Sequence, residues 1–494
     1  MPAKPDLPPF LHTYFGMFLD RASSISFAPT PSLVLDISHF SFFIVGGQRG
    51  IIKSSTTGAL NSLSETREEN ERMYGNDRNW LVMLIPFNAV LSSLSTFVPL
   101  QVLASGGNVV TVGLVLVAYN IAVIPAPLIW GHVTDATGSR RKIIIGSCVL
   151  MLAACAGMFV YPTIIGVTIF YALIAHSAGM MSPPVNLLLM EKLPKDEWDK
   201  GFTSMSWYTS LGQIIGTGAA IPWVALLPLS TFTVAATGMA LFAVLFAVAL
   251  VKDAKMPMER RALFFTPQVF VSRLTQLPLL FIRVPSRSDF ANLMRSARRS
   301  LTRELPVIFA ASVLFSASAN LFFTSYTPFL QSNHLSDPLI FSLSLYNLTV
   351  NAVFSRVLIR RVGGKVSHST ASAALLVRAL GMLVAATISI FIFGFQVATA
   401  SLIVFGLTGS AYVFINVNLN TLLFRALPGG RQGSVLGVWS ALNGAALLAG
   451  ALASGFISLY LGYAITFFLS GVLVMLSSIV LDAHYGVGLA PQEG

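Results

Sequence analysis

Residues 109–160 read VVTVGLVLVAYNIAVIPAPLIWGHVTDATGSRRKIIIGSCVLMLAACAGMFV, which is two apolar runs separated by a short polar segment. Each run is close to the ~20 residues that a helix needs to cross the hydrocarbon core of a bilayer. The polar segment, residues 131–142, ends in the basic residues Arg140, Arg141 and Lys142. This pattern is typical of two adjacent transmembrane helices joined at one side of the membrane.

The same composition extends over most of the chain. Its 494 residues are 54% hydrophobic and 10% charged, whereas soluble globular proteins carry about 25% charged residues. Soluble, disordered and disulfide-rich classes are therefore excluded. The two cysteines, Cys148 and Cys155, stand seven positions apart on one apolar run, about 10 Å along a helix. We predict that they are buried packing residues, with no disulfide and no metal between them.

Apolar runs bounded by turn and charge signals define twelve predicted spans, numbered 1 to 12. They cover residues 81–103, 109–130, 143–161, 164–190, 203–227, 230–251, 306–330, 338–359, 371–393, 397–424, 434–459 and 462–483. The connections after odd-numbered spans are very short, so consecutive spans must be antiparallel. The predicted fold class is an all-α integral membrane protein with twelve transmembrane helices.

Basic residues lie almost entirely on one side of the predicted spans. All but one of the 31 Lys and Arg residues fall before span 1 or around the connections that follow even-numbered spans. We call this the basic side and the opposite one the neutral side. Because cytoplasmic connections carry an excess of Lys and Arg, we expect the basic side and both termini to be cytoplasmic, in a multi-pass protein of the plasma membrane.

The second six spans repeat the first six. Five residues of spans 4 and 5 recur in the same order in spans 10 and 11: Asn186, Gly201, Trp207, Gly212 and Gly218 correspond to Asn420, Gly433, Trp439, Gly444 and Gly450. Spans 2 and 8 also share a dipeptide, Tyr119-Asn120 and Tyr346-Asn347. This ordered set predicts two pseudo-symmetric six-helix bundles.

Five parts of the chain follow from this layout. They are an N-terminal extension (1–78), an N-terminal six-helix bundle (79–252), a basic connection (253–304), a C-terminal six-helix bundle (305–485) and a short tail (486–494). The extension contains no run long enough to span a bilayer. We interpret it as a disordered cytoplasmic tail or, alternatively, as residues upstream of a true start at Met73.

The basic connection places Phe290, Met294 and Leu301 at helical spacing among arginines. That pattern predicts a helix lying on the anionic inner leaflet, where each basic residue gains about 1 kcal/mol. A solvated basic linker is the alternative. We expect membrane lipid, and no nucleic acid, to be the partner of this segment.

The polar segment between spans 2 and 3 resembles the loop motif of the major facilitator superfamily, written G-x-x-x-D-R-x-G-R-R-K. Five positions carry the resemblance: Gly131, Asp135, Gly138 and Arg140 match in register, and Arg141 keeps the basic charge. Ala136 and Ser139 depart from the motif, since each stands where the motif has a basic residue. The glycines would permit a tight turn and a close approach of helices.

The resemblance implies two bundles that move a small solute by alternating access, with spans 3, 6, 9 and 12 as outer supports. It also implies that Asp135 meets the start of span 11, near Gly433 and Ser434, when the basic ends come together. Drug antiporters of the family carry a Gly-Pro pair in span 5, which this sequence lacks. The glycines that span 5 does contain are predicted to be close-packing positions: Gly212, Gly216 and Gly218.

Polar side chains are costly in hydrocarbon and tend to face a bundle interior or a cavity. Nine such side chains near the middle of a span are the predicted substrate-cavity residues: Asn88, Asn120, His176, Gln213, Asn320, Asn347, Tyr412, Asn416 and Asn443. Each asparagine is alternatively a link between two helices. Arg378 lies about 12 Å from the basic end of span 9, and we predict a structural or lipid-facing role for it.

No Asp or Glu lies in the central third of any predicted span, and no nucleophile-plus-base or metal-ligand set is embedded in one. We therefore expect a monomeric transporter that is not an enzyme and has no cofactor or metal. Its leading function is facilitated diffusion or symport of a neutral or weakly polar small solute. Proton-linked efflux of drugs or metabolites and a non-transporting receptor or scaffold are the alternatives. Any proton coupling would use His176, because histidine titrates nearest neutral pH.

Overall fold

The structure is a computed structural model that describes residues 79–137, 139–193, 198–253, 304–361, 368–426 and 432–487. The N-terminal extension, most of the basic connection with its predicted lipid-binding helix, and the last residues of the tail lie outside these ranges. The regular secondary structure of the described residues is helical.

Most predicted spans are single helices. Spans 1 and 3 to 6 are Leu84–Ala104, Arg140–Val160, Ile164–Lys192, Trp198–Leu226 and Phe232–Leu250, and spans 7 to 12 are Leu305–Ser332, Asp337–Arg361, His368–Phe391, Gln396–Ala426, Gln432–Tyr460 and Tyr463–Val487. Among the described residues, ten helices are long and apolar enough to cross a membrane. They are the predicted spans other than 2 and 5. Span 5 has the length, at 29 residues, but its Ser, Thr and Gly residues lower its hydropathy.

Span 2 differs from the prediction because it is two helices, Val109–Val123 and Ala126–Thr137. Pro125 and Pro127 explain the break, since proline has no backbone N–H and its ring clashes with the preceding helical turn. The second helix continues to Thr137, beyond the predicted end of span 2 at residue 130. Gly138 itself lies outside the described residues.

The two halves pack in the same way, pair by pair. In the first half, span 1 packs on spans 5 and 6, span 3 packs on spans 4 and 6, and span 2 packs on span 4. In the second half, span 7 packs on spans 11 and 12, span 9 packs on spans 10 and 12, and span 8 packs on span 10. This correspondence confirms the two pseudo-symmetric six-helix bundles.

The halves meet through two equivalent pairs, span 2 with span 11 and span 5 with span 8. Close contacts lie toward the neutral side, where a Cβ added to Gly113 would be 3.0 Å from the carbonyl oxygen of Ala451. The rings of Phe232 and Phe341 also pack there, with centroids 6.0 Å apart. The second helix of span 2, nearer the basic side, packs mainly on span 4 of its own half. These contacts join the halves at their neutral ends.

Two of the three span 5 glycines are close-packing positions, as predicted. A Cβ on Gly212 or Gly216 would collide with the backbone of Ile85 or Ala89 on span 1. The third, Gly218, has room for a methyl group, because its nearest neighbour would be Leu345 at 3.9 Å.

The prediction that the cysteines are buried packing residues is confirmed. Cys148 and Cys155 are both free thiols and both buried in the first half. They lie in the same hydrophobic core as Ile144 and Met151 of their own helix, so they act there as small apolar side chains.

Candidate functional site

A cavity of about 410 Å³ lies among spans 7, 8, 9, 10 and 11 in the second half. Its volume is within the ~300–1,000 Å³ typical of sites for small molecules. Five of the nine predicted cavity residues line it: Asn320, Asn347, Tyr412, Asn416 and Asn443. It extends from the middle of these spans toward their basic ends, where Asn420 and Trp439 line it.

Two of the lining asparagines also join span 7 to span 11. Oδ1 of Asn443 accepts hydrogen bonds from the hydroxyls of Ser312 and Ser316, at 2.8 and 2.7 Å. Nδ2 of Asn320 donates to the carbonyl of Leu447 at 2.8 Å. These two asparagines therefore fix the wall of the cavity, which is the interhelical role that the sequence left open for them.

Asn347 on span 8 is different, because its Oδ1 is buried without a hydrogen-bond partner among the described residues. The oxygen lies against Gly409 on span 10, where an added Cβ would come within 2.6 Å of it. A buried acceptor that is left unpaired costs about 1–3 kcal/mol. Asn347, a lining residue of the cavity, thus carries an acceptor that no described residue satisfies.

Arg378 also lines this cavity. The side chain is 1% exposed, so the lipid-facing alternative of the prediction was wrong, whereas the structural alternative is compatible with this burial. It turns inward from span 9, and its Nη1 donates to the carbonyl of Thr408 on span 10 at 3.1 Å. Its Nε is buried without a partner in the described part of the chain. Burial of a charge without an opposite charge costs several kcal/mol, which marks the position as a functional candidate.

Three aromatic rings surround the Arg378 guanidinium. Its Cζ lies 5.1 Å from the ring centroid of Phe315, 5.4 Å from that of Phe323 and 5.6 Å from that of Tyr412. Each cation–π contact contributes about 0.5–2 kcal/mol. The rings stabilise the buried charge but do not neutralise it.

The other four predicted cavity residues are in the first half and are not among the lining residues of this cavity. Asn88 and Asn120 each donate from Nδ2 to a carbonyl four residues earlier in their own helix, that of Leu84 and that of Leu116, both at 2.8 Å. Gln213 is half-buried on span 5. One amide hydrogen of each asparagine is therefore bonded to the backbone of its own helix.

His176, the fourth, braces the two helices of span 2 across their break. Its Nε2 accepts a hydrogen bond from the indole N–H of Trp130 at 3.0 Å, and its Nδ1 lies 3.3 Å from the carbonyl of Ala122. Because an indole nitrogen only donates, this network assigns the neutral tautomer with the proton on Nδ1. Protonation of Nε2 would break the bond to Trp130.

The loop motif builds an ion pair within the first half. Nη2 of Arg140 lies 2.8 Å from Oε1 of Glu191 at the end of span 4, and its Nη1 donates to the carbonyl of Thr134 at 2.6 Å. Arg140 thereby ties together the basic ends of spans 2, 3 and 4. The sequence showed Glu191 as an acid at a span end but did not show its partner.

The neighbouring Arg141 connects span 3 to span 6. Its backbone N–H donates to Oδ1 of Asp253 at 2.7 Å, and its side chain donates to the carbonyl of Val248 at 3.0 Å. A cation near the carbonyl end of a helix is stabilised by the helix dipole. The side chain of Asp135 is not among those described, so its contact with span 11 stays a prediction. Gly131 is loosely packed, with only Pro183 near an added Cβ, at 4.0 Å.

Comparison with known proteins agrees with this architecture. The family model of the Major Facilitator Superfamily matches residues 80–446. No match was found among curated proteins. Similar solved structures include a peptide transporter, POT, in complex with sulfate, at 15% identity and a TM-score of 0.63, with 85% of this chain and 98% of that chain covered.

Two further structures have the same fold. The nucleoside transporter NupG is 14% identical with a TM-score of 0.62, and the similarity covers 83% of this chain and 100% of that one. A D-xylose-proton symporter is 13% identical with a TM-score of 0.61, covering 82% and 97%. Since the family match spans most of the chain, the protein belongs to the Major Facilitator Superfamily and is a secondary transporter that works by alternating access.

Proposed function

We propose that the protein carries a small polar solute, and that the solute binds in the cavity among spans 7 to 11. The observation that supports this most strongly is the presence of two unpaired buried polar atoms in one cavity wall, Oδ1 of Asn347 and Nε of Arg378. Transporters built from repeats bind their solute near the bilayer midplane. The cavity begins at that depth, since Asn320 and Asn347 lie near the middle of their spans.

The basic side is the cytoplasmic side in this proposal, as the positive-inside bias supports. The structure is then an inward-facing state, because the halves touch at their neutral ends and the cavity extends toward the basic ends. We also propose a monomer in contact with anionic lipid at that side, and transport without covalent chemistry.

Orientation is tested by single cysteines in a background carrying Cys148→Ala and Cys155→Ala. Ser105→Cys lies at an exposed neutral-side turn, and Lys252→Cys lies at an exposed basic-side position. A membrane-impermeant maleimide should label the first cysteine in intact cells and the second only after permeabilisation. Labelling of Lys252→Cys in intact cells would reverse the orientation. Absence of label on both until permeabilisation would place the protein in an internal membrane.

Transport is tested with purified protein in proteoliposomes and a radiolabelled panel of sugars, amino acids, nucleosides and organic acids. At least one solute should enter with saturable kinetics. Gly218→Cys with Leu345→Cys provides the control, because an added Cβ at position 218 lies 3.9 Å from the end of the Leu345 side chain. Cross-linking that pair with a short bifunctional methanethiosulfonate should lock the neutral ends together and stop uptake, and reduction should restore it.

The single variant Leu345→Cys, treated in the same way, should keep its uptake. Uptake that continues after complete cross-linking of the pair would indicate a leak instead of alternating access. Absence of flux for every solute, together with no thermal stabilisation by any of them, would favour a receptor or scaffold that has kept the fold.

A further inference from the structure

Resting on the proposed function, we propose that the transported solute is a small organic anion whose carboxylate binds Arg378 in the cavity of the second half. This assigns a substrate class that differs from the neutral or weakly polar solute expected from the sequence. The cavity residues that carry the inference are Arg378, Thr408, Asn347, Phe315 and Tyr412.

The first argument is the uncompensated charge. A guanidinium stays protonated in proteins, and Arg378 is 1% exposed at the wall of the cavity. No carboxylate forms an ion pair with it within the described residues, where its partners are a carbonyl and three aromatic rings. A bound anion would supply the missing opposite charge in surroundings that screen charge poorly.

The second argument is the direction of the remaining donors. Nη1 is occupied by the Thr408 carbonyl, whereas Nε has no partner among the described residues. The Nε edge of a guanidinium presents two parallel N–H groups, which match the two oxygens of a carboxylate. The unpaired Oδ1 of Asn347 in the same wall requires a donor, so the solute should also carry an O–H or N–H group.

The third argument is access to the arginine. Tyr412, whose ring lies 5.6 Å from the guanidinium, is 37% exposed, and it stacks on Phe315 at 6.3 Å. The tyrosine therefore lies against the buried guanidinium and is itself accessible from outside the protein. An entering carboxylate would displace this ring and take its place beside the guanidinium.

The experiment compares acids with their neutral amides by thermal unfolding of the purified protein at constant ionic strength. The pairs are lactate and lactamide, mandelate and mandelamide, and glycolate and glycolamide. At saturation at least one acid should raise the unfolding midpoint by about 2 °C or more, whereas its amide should not. This comparison uses the wild-type protein and does not depend on any variant folding.

Variants then locate the site. Arg378→Gln should abolish the stabilisation by the acid, and Arg378→Lys should keep part of it, because lysine retains the charge without the paired donors. Arg425→Gln, at an exposed position near the basic end of span 10, is the matched control and should respond like the wild type. If Arg378→Gln does not give a monodisperse protein, the contrast between Arg378→Lys and Arg425→Gln still decides the outcome.

Two results would overturn the proposal. One is stabilisation by an acid that is the same in Arg378→Lys, or in a folded Arg378→Gln, as in the wild type. The other is saturable uptake of a neutral solute with no acid preferred over its amide. That result would rule out an anionic substrate but would leave the proposed transport function intact. If no solute enters proteoliposomes and no acid stabilises the protein, the proposed function fails as well.

Discussion

The two halves share one packing scheme but use their polar residues differently. Asn120 and Asn347 occupy equivalent positions after a tyrosine in spans 2 and 8. Asn120 is 5% exposed and donates to its own helix, whereas Asn347 keeps an unpaired oxygen in the cavity wall. Equivalent positions in the repeat therefore differ: one is bonded within its own helix, and the other lines a cavity with an unpaired acceptor.

The charged residues show the same division. In the first half, Arg140 and Glu191 form an ion pair at the basic ends of the spans. In the second half, Arg378 lines the cavity, and its guanidinium lies among aromatic rings. In the first half these contacts hold the helices together near the loop motif, although Nε of Arg140 is buried without a partner among the described residues. The second half has an unpaired acceptor on Asn347 and an unpaired donor on Arg378, to which we assign the solute in our proposal.

The largest effect is expected from substitutions at two equivalent glycines, which pack differently against neighbouring helices in the two halves. Gly450 and Gly218 are equivalent, but an added Cβ on Gly450 would collide with the carbonyl of Ala317, while Gly218 has room. Gly450→Ala should lower the stability by about 3 kcal/mol, the upper range for overpacking. Gly218→Ala should change it little. Thermal unfolding in detergent measures both, and equal destabilisation would show that the two contacts are alike.

The ion pair of the first half should have the next largest effect. Arg140→Gln should destabilise the protein by about 2 kcal/mol, because Glu191, whose side chain is 25% exposed, would lose its partner. A double-mutant cycle with Glu191→Gln should give a favourable coupling energy. Additive effects of the two substitutions would mean that the pair contributes nothing beyond its separate members.

The equivalent asparagines give the most selective comparison. Asn347→Ala should raise the KM of the transported solute about tenfold with little loss of stability, since it removes an acceptor that the protein itself does not use. Asn120→Ala should leave KM unchanged and lower the unfolding midpoint slightly. Kinetics in proteoliposomes would reveal the reverse pattern if the first half held the solute.

The smallest expected effect concerns His176. A glutamine at this position can still accept the hydrogen bond from Trp130, so His176→Gln should retain nearly normal uptake. Because Nε2 of the histidine accepts a hydrogen bond from Trp130 and Nδ1 lies against the carbonyl of Ala122, we also expect uptake to be the same with and without an imposed pH gradient. Gradient-driven accumulation that disappears in His176→Gln would instead assign proton coupling to this residue.

The sequence predicts the helices and the repeat well because apolar runs and basic connections are local features. The sequence also contains the cause of the break in span 2, because Pro125 and Pro127 stand within the apolar run. The run is hydrophobic throughout, however, so it was predicted as one span and not as two helices. The inward orientation of the Arg378 side chain was not predictable from the sequence. Its inward turn depends on Thr408 and Phe315, which come from other spans, and a single arginine in a span is equally compatible with snorkelling.

The asparagines show a similar limit of local reasoning. The Tyr-Asn dipeptide is identical in spans 2 and 8, yet only Asn347 lies beside a glycine, Gly409, on the helix that packs against it. That contact depends on the tertiary arrangement of spans 8 and 10. Mid-span polarity therefore identified candidate residues, and the packing of neighbouring helices determined which of them line the cavity.

A structure of the protein with its transported solute bound tests the central claim most directly. The solute is expected in the cavity of the second half, in contact with Asn347 and Arg378, with the Tyr412 ring displaced. A solute held instead by Gln213 and His176 of the first half, with the cavity among spans 7 to 11 empty, would contradict the division between a structural half and a solute-binding half.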